Sequence, residues 1–126
     1  MFKETPAING FAVDDIDAAR KFYAETLGLE VTDEPMGVLT LHLAGGRPTL
    51  VYPKPDFKPA TYTILNFDVD DIDAAVDELS SRGVEFERYE GFDQDEKGIA
   101  RSTGEEPDIA WFTDPAGNIL AVLTTS

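Results

Sequence analysis

His42 is the only imidazole in this chain of 126 residues, and cysteine is absent. It is the one imidazole available as a base, with Tyr52 or Tyr62 as a proton donor. The lack of thiols removes thiolate nucleophiles, zinc–thiolate sites, iron–sulfur clusters and disulfides together. Carboxylates are abundant: 25 Asp and Glu stand against 10 Lys and Arg, a net charge of −15. They are scattered rather than gathered into a tail, which reads as solubility and long-range steering and not as a cation site. Such a surface repels phosphates, so nucleic acid is excluded as a partner. No Walker loop, G-x-G-x-x-G, G-x-S-x-G or H-E-x-x-H motif occurs. No apolar run approaches the ~18 residues of a membrane span, and the start MFKETPAING lacks the basic and apolar stretches of a signal peptide. The expected setting is the cytoplasm, with no membrane partner.

The elements that must position these groups are announced by a repeat. Residues 11–19 (FAVDDIDAA) recur as 67–75 (FDVDDIDAA), with eight of nine positions identical. A short β-branched run precedes each copy (Ala7 to Val13, Tyr62 to Val69), and a helical pattern follows, ending at Gly28 or Gly83. Ile16, Ala19, Tyr23 and Leu27 form one apolar stripe; Ile72, Ala75, Val76 and Leu79 form the other. The acids at each helix start cap free N–H groups and complement the helix dipole, so they need no catalytic role. Strand-like runs follow: Leu29 to Thr32, Val38 to Leu43 and Thr49 to Tyr52, then Val84 to Arg88, Ile109 to Thr113 and Ile119 to Thr124. Both halves thus read βαβββ. The expected organisation is one domain, with a first module over 1–53, a Pro-rich linker over 54–60 and a second module over 61–126.

Val13, Asp15, Phe22, Tyr23, Leu27, Gly28 and Leu29 after the first strand, with Phe112, Asp114, Pro115, Gly117 and Asn118 before the last, resemble the vicinal oxygen chelate superfamily. That superfamily includes glyoxalase I, extradiol dioxygenases, fosfomycin-resistance enzymes and bleomycin-binding proteins. The resemblance spans essentially the whole chain. It implies an α+β fold of two tandem βαβββ modules, forming incomplete barrels around a cleft, commonly in a homodimer. It also implies where a divalent ion would be held in the metal enzymes: at Ile8 and Ile64 on the first strand of each module, at Ala121 on the last, and near Leu50. Every one of these positions is apolar here. The expectation is therefore no metal and no cofactor, and an apolar floor in place of an ion.

Alternation along the strands extends that floor. Tyr62 and Asn66 are expected to share the face of Ile64; Gly10 and Ala12 that of Ile8; Ile119 and Leu123 that of Ala121; and Thr40 and His42 lie toward the cleft, with Tyr52 beside Leu50. Of the adjacent pair Trp111 and Phe112, Trp111 is taken as the cleft wall. The long connection from Tyr89 to Pro107 is expected to close over the cleft as a lid, with Phe92 as its apolar contact and Arg101 as a cation for an acidic ligand. An apolar concavity with a few polar tips suits a small organic molecule. The alternative is a lyase, isomerase or dioxygenase with a non-standard metal site or with His42 in acid–base chemistry; a purely structural or regulatory module is a third reading.

Overall fold

The computed structural model describes residues 1–125, and the chain divides into two compact units, one spanning Met1–Pro59 and the other beginning at Ala60. In the first unit, strand β1 (Asn9–Val13) leads into helix α1 (Ile16–Lys21). Asp15 caps this helix, its carboxylate accepting from the backbone N–H groups of Asp17 and Ala18 at 3.0 and 3.1 Å. The last turn widens into a π-helical segment (Phe22–Thr26), closed by the Leu27 N–H bonding to the Phe22 carbonyl at 2.9 Å. Gly28, at φ 71°, reverses the chain into β2 (Glu30–Asp33). Strands β3 (Leu39–His42) and β4 (Thr49–Pro53) complete a four-stranded sheet in the order β1-β4-β3-β2, with β1 and β4 parallel.

Register sorts this sheet into two faces. Phe11, Val51 and Leu39 share one row and Leu41 lies in the next; Leu39, Leu41 and Val51 are fully buried. The Phe11 ring sits 5.8 Å from that of Tyr23, so this is the face α1 covers. The opposite face carries Gly10, Leu50, Thr40 and Thr32 in one row, with Ala12 beside Tyr52 and Glu30 beside His42.

The second unit repeats the start of the plan: β5 (Thr63–Asp68), then helix α2 (Ile72–Ser81) capped by Asp71, whose carboxylate accepts from Ala74 N–H at 3.1 Å. Strands β6 (Ile109–Thr113) and β7 (Ile119–Leu123) finish a sheet of three strands, ordered β5-β7-β6. The strand expected over Val84 to Arg88 does not form. Phe86 makes an isolated bridge to Phe112, while Ala100 bridges Ile109 further along the same edge of β6. Two segments divide that edge, and neither has room for a ladder. The second unit therefore departs from βαβββ by one strand.

Candidate functional site

The faces away from the helices are where a ligand could meet side chains, and several of the expected positions converge there. In the second unit Asn66, Ala121 and Trp111 lie in one row across all three strands, β5, β7 and β6. The neighbouring rows on the same face hold Ile119 with Thr113 and Leu123 with Ile109. The other face holds Leu65, Leu120 and Phe112, then Phe67, Val122 and Ala110. Phe67 is the repeat partner of Phe11, and α2 packs against β7 as α1 does against β4. Trp111, not Phe112, thus stands on the helix-free face, as alternation requires.

The alternation that links Ile64 and Tyr62 to Asn66 is interrupted. The pairing of β5 with β7 slips between Thr63 and Leu65, placing Ile64 in a β-bulge. A bulge adds a residue that the partner strand does not match, so strict alternation cannot be carried backward from Asn66 to Ile64 and Tyr62. Ile64 is half-buried, and Tyr62 lies just ahead of the strand with its ring exposed.

In the first unit Leu50 is half-buried in the row with Gly10 and Thr40, and Tyr52 is exposed beside Ala12. The backbones are close here: a Cβ on Gly10 would meet the Leu50 carbonyl oxygen at 3.3 Å. Ile8 precedes β1 and is exposed. His42 is also exposed, with its Nε2 2.7 Å from the Thr32 hydroxyl. Thr40, only 7% exposed, donates to Glu34 at 3.0 Å.

The connection after α2 is more ordered than its composition suggests. The Gln94 carboxamide accepts from Tyr89 N–H and donates to the carbonyls of Glu87 and Gly98, at 2.9, 2.9 and 2.7 Å. Asp95 accepts from the N–H groups of Lys97 and Ile99 at 2.9 Å each, and Ile99 is fully buried. On this base stands the tip, residues 90–93. Phe92 packs on Trp111 with ring centroids 4.8 Å apart, and Tyr89 meets the same indole edge-on at 5.5 Å. Sequence reasoning passed over Tyr89, although its spacing of three from Phe92 on a connection destined for Trp111 was the available signal.

Arg101 is engaged elsewhere. Its Nη1 and Nη2 reach Asp73 on α2 at 3.0 and 2.8 Å, and its Nε reaches Asp95 at 3.0 Å. The Arg101 guanidinium, aided by Lys97, holds the Asp73 carboxyl down at about 2. For Asp95, partial burial pulls the pKa upward, but the N–H groups of Ile99 and Lys97 and the Arg101 charge outweigh it and leave the group below the usual carboxylate range. Arg101 thus fastens the connection to the helix, with its guanidinium donors spent on carboxylates.

A depression of about 350 Å³ is lined by Ser102, Glu106, Asp108 and Thr124 among others. Two of its acids already accept from the chain itself, Glu106 from Thr103 N–H at 2.8 Å and Asp108 from Ser102 N–H at 2.5 Å. It shares no residue with the rows above.

Two units opening on the same β–α motif, each with a sheet covered by one helix and a second face free of it, mixed in the first unit and largely apolar in the second, define a class of paired-module α+β proteins. The family profile of the Glyoxalase/Bleomycin resistance protein/Dioxygenase superfamily matches residues 7–122, and the chain belongs to that superfamily. Among solved structures, it is similar to a glyoxalase/bleomycin resistance protein from Streptomyces sp. CB03234, at 25% identity and a TM-score of 0.67 over 95% of this chain and 100% of the other. An antibiotic-binding protein from the same organism gives 24% identity and a TM-score of 0.71, covering 98% of both chains. A genomically encoded fosfomycin resistance protein from Listeria monocytogenes gives 13% and 0.74, covering 98% of this chain and 94% of the other. No curated protein matches the chain.

At the positions where the resemblance implies ligands for a divalent ion, the side chains present do not fit one. Ile8, Leu50, Ile64 and Ala121 offer no lone pair, and among the described residues no three of His, Asp and Glu are grouped to bind a metal. Among the described residues, no helix is long and apolar enough to cross a membrane.

Proposed function

We propose that this protein binds a small organic molecule on the helix-free faces of its sheets and does so without a metal. The observation that carries the reading is the row Asn66–Ala121–Trp111: three strands contribute an amide, a methyl and an indole to one face. Apolar surface supplies burial, and a few polar tips fix orientation. In the first unit Leu50, Tyr52 and His42 offer the same mixture around Gly10. The net charge of −15 favours a cationic or neutral ligand over an anionic one by steering. The absence of cysteine accords with a cytoplasmic protein, and the family resemblance with a homodimer.

Isothermal titration with a panel of apolar amines, before and after exhaustive chelation, tests this. The expected result is saturable binding unchanged by chelation. Binding that vanishes with a stoichiometric metal, and returns with it, would overturn the metal-independent reading.

The alternative, an enzyme using His42 as its base, finds support in the short contact between His42 and Thr32, which fixes one ring nitrogen. It predicts turnover abolished by His42→Gln at saturating ligand. If binding is all that the protein does, the same substitution leaves no catalytic deficit to observe.

A further inference from the structure

The geometry points to Phe92 as a built-in plug: its ring, tilted 58° against the Trp111 indole, occupies the place that a planar aromatic ligand takes when the loop tip swings away. The inference rests on the small-molecule reading above and adds the class of ligand and the way in.

Three observations carry it. The first is the contrast in exposure within one contact. Trp111 is 8% exposed while Phe92, which packs on it at 4.8 Å, is 55% exposed. A residue placed to complete a core would be buried by it; Phe92 covers the indole and keeps more than half of itself in water. An aromatic ring is thus already accepted on Trp111, at little cost to the ring that leaves.

The second is the division of the connection into a fastened base and a separate tip. Gln94 bonds the base at three points, Asp95 at two backbone N–H groups, and Arg101 ties it to α2 through Asp73. The contact shown between residues 90–93 and the sheet is the Phe92 ring on Trp111. Gly91, at φ 89°, lies inside the tip, where the lack of a side chain opens a wider range of backbone conformations to it. The tip can turn while the base holds.

The third is the charge around the plug. Glu90 and Asp93 flank Gly91 and Phe92, so an aromatic cation approaching the plug meets carboxylates carried by the tip before the tip withdraws. A planar cation is therefore the favoured form of ligand.

A plug and a lid make opposite predictions. A lid orders on binding, whereas a plug is expelled and loosens. Trp111 is the sole tryptophan, so its fluorescence reports directly. The experiment titrates proflavine, a planar cation, and 1-adamantylamine, a cation without a planar ring, into the wild type, Phe92→Ala and Phe92→Leu, and follows amide hydrogen exchange of residues 90–93.

The expected results are that proflavine quenches Trp111, that Phe92→Ala binds it about two- to tenfold more tightly, the equivalent of one aromatic pair no longer broken, and that Phe92→Leu lies between. Exchange in the tip should rise on binding to the wild type. Unchanged or weaker binding by Phe92→Ala in a protein of native circular dichroism overturns the plug, as does protection of the tip. If proflavine fails with wild type and variants while 1-adamantylamine binds, the plug falls and the small-molecule reading survives. If neither probe binds any of the three proteins, both fall.

Discussion

Asp114 is 3% exposed yet carries a carboxylate that organises the turn into β7. One oxygen accepts from the N–H groups of Ala116 and Asn118 at 3.0 and 2.9 Å, the other from the Asn118 amide at 3.1 Å. Replacing it by alanine would remove all three bonds, two of them in buried surroundings. Asp114→Ala should therefore lower unfolding stability by about 3 kcal/mol, measured by urea denaturation. A loss under about 1 kcal/mol would show that water or other groups take over the donors. Glycines allow a finer comparison. Gly98 has φ +87°, and a Cβ there would stand 3.0 Å from the Phe86 Cβ, whereas Gly46 has nothing within 4 Å. Gly98→Ala should cost about 1–2 kcal/mol or more and Gly46→Ala almost nothing, with thermal melts of the two variants as the check. The D-P-A-G-N motif was legible in the sequence because its chemistry is local. The demand on Gly98 was not, since the obstructing Phe86 lies twelve residues away on another segment.

At the scale of elements, the connection 89–107 depends on charge pairs that respond to acid. Asp73 has a folded pKa of about 2 against an ordinary 3.8, so its contribution to stability is fully present above about pH 4 and is lost as pH falls through the interval down to about 2. Acidification across that window should release the connection from α2 before the sheets unfold. Amide exchange at Ile99 and Ala100 is expected to rise ahead of exchange at Val76, and Asp73→Asn should show the early release already at pH 5. Simultaneous loss of protection at all three sites would refute a separate event. Both helices and their caps were readable from the repeat, because a cap is a matter of one carboxylate and the next few N–H groups. The π-widened turn at Phe22–Thr26 and the bulge at Ile64 were not readable. Each inserts a register step that period-two or period-3.6 extrapolation carries straight past. The missing strand at Val84 to Arg88 has a similar origin, in competition for one sheet edge that only the assembled topology reveals.

For the whole molecule, a net charge of −15 sets a self-repulsion that no single pair records. The melting temperature should rise by several degrees as NaCl is raised from about 10 mM to about 150 mM, because the screening length falls from roughly 30 Å to roughly 8 Å. A melting temperature that fell would mean that attractive pairs such as Arg101 with Asp73 outweigh the repulsion. The candidate faces were largely legible at this scale: one row of Asn66, Ala121 and Trp111 follows from alternation once the strands are assigned. Arg101 was out of reach, because which acid a surface cation chooses depends on how a loop is laid across a helix. The parallel pairing of β1 with β4 and of β5 with β7 has a further consequence, in time rather than in space. Asn9 must wait for Thr49, and Thr63 for Ile119, before either sheet acquires its outer pair. Such distant closure is paid for in chain entropy before any contact rewards it, so each unit is expected to fold slowly for its size. On the ribosome the first sheet has all its strands once Pro53 has emerged, while the second stays one strand short until Leu123 has followed.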